Sequence, residues 1–107
     1  MYLKELIAFL EKQNPAQVVP VGFHRPHSYR GYYDQLAFEP QRSVTIGSML
    51  KCAQQAIGQT FEGYKGGDYT MGEHTDVYLA EYGSTGEQIG QILLAYMVRD
   101  LDSLEIE

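Results

Sequence analysis

Residues 17–40 read QVVPVGFHRPHSYRGYYDQLAFEP, and how that stretch is divided decides the fold. Its first part, residues 17–23, is apolar and β-branched but contains Pro20, which fits an edge strand or an extended segment and not a central strand. Residues 24–34 lack any helical period and contain Pro26 and Gly31, so they read as a long loop. Residues 35–39 then alternate like a short strand that Pro40 ends. The expected picture is a loop hung between two strands.

Working outward toward the N-terminus, residues 3–13 place Leu3, Leu6, Ile7, Phe9 and Leu10 on one face, with Lys4, Glu5, Glu11 and Lys12 opposite. That is the pattern of an amphipathic helix, and Asn14-Pro15 stops it. On the other side, Thr45 suits the N-cap of a second helix over residues 46–57, with Met49, Leu50, Ala53, Ala56 and Ile57 inward and Gly58 as the stop. From residue 61 to 82 the composition turns to Gly, Thr and Tyr, with Gly66-Gly67 as a turn and residues 75–82 as a strand. Ser84 and Glu87 have capping-box spacing before IGQILLAYMV, whose Ile89, Ile92, Leu93, Tyr96 and Met97 predict a third helix, and the acidic tail after Arg99 is expected to fray. Three amphipathic helices packed on a short antiparallel sheet of about four strands define an α+β class, in a single domain over residues 1–107.

The 107 residues, 44% apolar and 21% charged, suffice for one core and are unlike a disordered chain. No apolar run is long enough for a membrane helix, and Lys4 and Glu5 interrupt the only apolar stretch near the start, so neither a membrane partner nor a signal peptide is expected. A lone cysteine, Cys52, can form neither an internal disulfide nor a cysteine zinc site, which agrees with a cytoplasmic address. The formal charge of −6 speaks against general nucleic-acid binding, which needs a basic surface. That charge is unevenly placed: residues 1–53 carry a net +2 and residues 54–107 a net −8.

Within the basic half, His24, Arg25, His27 and Arg30 fall in seven residues together with Ser28 and Tyr29, and Tyr32 and Tyr33 follow directly after Gly31. Arg offers a forked donor matched to phosphate oxygens, and Tyr rings can stack on a base, so a small anionic nucleotide uses every part of the set. The plainer alternative is a structural loop in which Arg30 pairs with Asp34 or Glu39 and the Tyr rings pack inward. Lys65 in FEGYKGGDYTM, beside Gly66-Gly67, is a further anion donor, set against a simple Gly-rich hairpin turn. The stretch lacks the ending of a P-loop. His24 and His27, with His74, Glu73 or Asp76 as a third ligand, do not make a recognised zinc spacing, and Pro26 disfavours it. Cys52, placed in an Ala/Met/Leu/Ile helix, reads as a small buried apolar residue and not a nucleophile.

The strings PHSYRGYYDQLAFEP, GYKGGDYTM and LAEYGSTGE resemble a family of small proteins without an assigned activity, found in bacteriophage genomes and in actinobacterial and other bacterial genomes that carry phage-derived genes. The resemblance spans most of the chain. It implies, by class, a phage anti-defence protein: small acidic phage proteins of this size often antagonise host defence, as sponges for a nucleotide immune signal or as direct blockers of a host complex.

Three readings follow in order. The first is a non-enzymatic module, without cofactor, holding a phosphate-bearing nucleotide with Arg25, Arg30 and Lys65 on phosphates, His24, His27 and Ser28 as donors, and Tyr29, Tyr32 or Tyr33 on the base. A homo-oligomer is expected, because clefts between protomers can enclose a ligand that a small domain cannot. The second is a protein–protein inhibitor of a host complex, its acidic half imitating nucleic acid. The third is a metal-independent phosphodiesterase using His24, His27 and Tyr29.

Overall fold

The structure is a computed structural model, which describes residues 1–29, 35–62, 67–81 and 86–90. Helix α1 spans Leu3–Glu11 and buries Leu3, Leu6 and Leu10, one apolar residue per turn. Its first turn is closed by the Tyr2 N–H donating to Glu5 Oε1 at 2.9 Å. Strand β1 (Val18–Ser28) and strand β2 (Leu36–Thr45) form a long antiparallel ribbon. Helix α2 (Ile46–Ala56) follows at once, with Thr45 Oγ1 accepting from the Ser48 N–H at 3.1 Å. Gly58, at φ +79°, supplies the left-handed residue beyond its end. Both helices therefore stand where the periodicity put them, except that Ile57, expected on the inward face of α2, follows its last residue in an extended conformation and is exposed.

Strands β3 (Thr60–Glu62) and β4 (Asp68–Thr70) make a separate antiparallel pair, and β5 (Val77–Leu79) and β6 (Glu87–Gln88) complete the main sheet in the order β1-β2-β5-β6. The sheet is mixed, not purely antiparallel, because β5 runs parallel to β2 with Leu36, Ala37 and Phe38 opposite Val77, Tyr78 and Leu79. A parallel neighbour needs a long crossover, and α2 with the β3–β4 pair provides it.

Several expectations are corrected. Residues 24–28 are not loop but the last part of β1. Pro20 and Pro26 are tolerated because β1 lies at the sheet edge and the pairing register shifts between Phe23 and Pro26. Pro40 does not end β2, which continues to Thr45, since β5 covers only its first three residues and leaves the rest with an open side. Among the described residues there are two helices, not three. Glu87 and Gln88, placed by the spacing in the first turn of a helix, instead pair with Leu79 and Tyr78. Residues 91–98, the remainder of that expected helix, and the acidic tail after it lie outside the described residues.

The core joins Leu6 and Leu10 of α1, Met49 and Ala53 of α2, and Phe23, Phe38, Leu36 and Val77 of the sheet, all at most 1% exposed. The Phe23 and Phe38 rings meet at 4.4 Å, and burying side chains of this size gives about 1.5–3 kcal/mol each. Among the described residues no helix is long and apolar enough to cross a membrane.

Candidate functional site

Strand alternation sorts the residues of 24–29 onto two faces. Leu36 and Phe38 point into the main core, so Ala37 between them and Glu39 after Phe38 point to the other side. There Ala37 packs with Tyr29, Ala80 and Tyr78 in a second, smaller cluster. His27 is opposite Ala37 and joins this second face, whereas Ser28, opposite Leu36, belongs to the core face.

The register shift brings the basic residues together. Before it β1 pairs Phe23 with Pro40, and after it Pro26 with Phe38, which leaves His24 and Arg25 both opposite Glu39. Such a bulge re-aims side chains that would otherwise alternate across the sheet. His24 Nε2 lies 3.5 Å from Glu39 Oε2, a contact that becomes an ion pair when the imidazole is protonated. Arg25 is exposed and has no ion pair or hydrogen bond among the described residues.

His27, 7% exposed, is anchored more firmly. Its Nε2 is 2.9 Å from the Ala80 carbonyl and its Nδ1 3.1 Å from the Ser28 carbonyl. A carbonyl only accepts, so a neutral ring donates to one of the two at a time. The Ala80 contact ties the end of β1 to the chain leaving β5, across 53 residues of sequence. Tyr29, 8% exposed, stacks on Tyr78 with ring centroids 4.0 Å apart and planes 11° from parallel, and its hydroxyl accepts from the Gly86 N–H at 3.4 Å. One face of Tyr29 is thus already occupied, and half-buried Tyr78 is the ring nearer solvent. Burial, then the Asp76 carboxylate, then Tyr29 push the Tyr78 phenol above its ordinary value. Ser28 is 1% exposed, and its Oγ has no hydrogen-bond partner among the described residues.

His24, Arg25, His27 and Tyr29 therefore share one face of the sheet, and Ser28 does not. Arg30, Tyr32, Tyr33 and Lys65 lie outside the described residues. Glu39, Tyr78 and Ala80 complete the face and escaped the sequence reading. Glu39 was legible only as a partner for Arg30, because the bulge that aligns it with His24 and Arg25 leaves no mark in the sequence beyond a nearby Pro. His74 is far from this set in chain position, with its ring edge-on to Tyr2 at 5.4 Å. No group of three His, Cys, Asp or Glu among the described residues is placed to hold a metal ion. Cys52 is half-buried against the core, and burial pushes its thiol up despite the Lys51 charge.

No family model, curated protein or solved structure matches the chain.

Proposed function

We propose that this protein is a non-enzymatic module that binds a small phosphate-bearing nucleotide on the second face of its sheet. The observation that carries the reading is Arg25: an exposed guanidinium without an ion pair among the described residues, set by the bulge beside His24 and flanked by half-buried His24 and Pro26. An exposed forked donor held on a strand is suited to phosphate oxygens. Arg25 takes the phosphate and His24 adds a donor, while the Tyr29–Tyr78 stack offers an aromatic surface to a base. Arg30 and Lys65, with Tyr32 and Tyr33, extend the set on the sequence reading alone. A phage anti-defence sponge for a nucleotide immune signal, working as a cytoplasmic homo-oligomer, is the biological setting this reading proposes.

The test is a thermal-shift screen against linear and cyclic nucleotides, ADP-ribose and inorganic phosphate, followed by recovery of any stabilising compound from denatured protein. Intact recovery supports a binder; altered recovery makes the protein an enzyme, and absence of any shift overturns the reading. The second reading, an acidic inhibitor of a host protein complex, draws support from Glu62 and Asp68, which stand directly opposite one another and exposed on β3 and β4. Like charges so placed cost stability, and a basic partner surface would relieve that cost.

A further inference from the structure

We propose that Glu39 sets how tightly an anion is held at the bulge, acting as a built-in carboxylate that competes with the ligand for His24 and opposes an anion at Arg25. This deepens the anion-binding reading and rests on it. The register places two donor-bearing residues of β1 opposite the one carboxylate of β2, and alternation from Ala37 puts that carboxylate on the same face. Glu39 Oε2 approaches His24 Nε2 to 3.5 Å, with the two side chains 30% and 29% exposed. Their environment is neither bulk water nor interior, so the charge is only partly screened. A phosphate arriving at Arg25 therefore meets a negative charge held on the residue opposite it in the register. Glu39 acts on affinity twice: it engages His24, and it repels the incoming anion. Weakly charged anions are held poorly at such a site, and only a ligand with enough phosphate charge to outweigh the carboxylate is retained.

Glu39→Gln removes the charge and keeps the shape and a hydrogen-bond acceptor for His24. Calorimetric titration of wild type, Glu39→Gln, Arg25→Gln and the double variant with inorganic phosphate and with adenosine diphosphate, at low ionic strength, tests the proposal. Glu39→Gln is expected to bind roughly three- to tenfold more tightly than wild type, a gain that shrinks as salt is added. Arg25→Gln is expected to lose binding in both backgrounds. Should Glu39→Gln fold poorly by circular dichroism, Glu39→Lys serves in its place and is expected to bind more tightly than wild type by at least as large a factor. Equal or weaker binding by the charge-removing variants, with wild-type binding intact and dependent on Arg25, overturns the role of Glu39 and leaves the anion site standing. No binding by wild type and by Glu39→Gln alike overturns both.

Discussion

Arg25 and Tyr78 show how differently single residues on one sheet face can be engaged. Arg25 touches no partner among the described residues, so Arg25→Ala is expected to abolish nucleotide-dependent thermal shifts while leaving the melting temperature of the unliganded protein nearly unchanged. Exposed substitutions of this kind stay within about 0.5 kcal/mol, and a loss of several kcal/mol would mean that the guanidinium is structural. Tyr78 is the reverse case, held by Tyr29 and raised above the ordinary tyrosine value of 10 by burial and Asp76. Because the folded value exceeds the unfolded one, the contribution of Tyr78 to stability is fully present below about pH 10 and is lost as pH rises through the folded value. Denaturant midpoints measured from pH 9 upward should fall less steeply for Tyr78→Phe than for wild type; parallel curves would remove Tyr78 from the account. Cys52, expected to be buried, is half-buried in the middle of α2 and packed against the core, and burial still disfavours its reactive form.

At the scale of elements, the ribbon of β1 and β2 carries its irregularities where no neighbour strand covers it. Ser43 sits at φ +54° in β2, and by the register it falls opposite Pro20, which has no N–H to give. Ser43→Gly relieves the left-handed backbone at the expense of a more flexible unfolded chain, and a net stabilisation of up to about 1 kcal/mol is expected. A thermal melt lower than wild type would show that the Ser43 side chain is needed there. Gly86 is the opposite kind of position. A Cβ on it would collide with the Leu79 carbonyl oxygen and come within 2.5 Å of Ala80 Cβ, neither of which can swing away. Gly86→Ala is therefore expected to cost about 1–3 kcal/mol and to weaken the pairing of β5 with β6. Hydrogen exchange that leaves the Ile89 amide, which donates to the Val77 carbonyl at 2.9 Å, as protected as in wild type would contradict this.

How much of each element was legible depended on whether local pattern or sheet position governed it. Helices α1 and α2 were readable because apolar spacing and a Thr cap act within the segment itself. Strand β1 was readable only to Phe23. Pro26 looks like a strand breaker in sequence, and only an edge position and a bulge make it harmless. Glu87 and Gln88 carry a helix-start pattern, yet the open edge of β5 takes them as a strand, and tertiary pairing overrides local preference.

For the whole molecule, one core holds both helices against the sheet, while the second face of the same sheet keeps its polar and aromatic groups. Phe38 lies at the centre of that arrangement, fully buried on β2, against Phe23 and between β1 and β5. Phe38→Ala is expected to cost about 3–5 kcal/mol, a large share of the 5–15 kcal/mol typical of a small domain. Chemical denaturation should show it as a single transition at much lower denaturant; a near-wild-type midpoint would place the core elsewhere. By itself the amino-acid sequence determined the two described helices, the Thr45 cap and most of their buried faces, the α+β class and the concentration of basic and aromatic residues near Arg25, because all of these depend on spacing along the chain. Which of those residues share a face, that Glu39 stands among them and that Ser28 does not, was decided by the β1–β2 register and its bulge. A shift of one residue in a strand moves a side chain to the other side of the sheet, and that shift is set by contacts between segments that the chain order does not reveal.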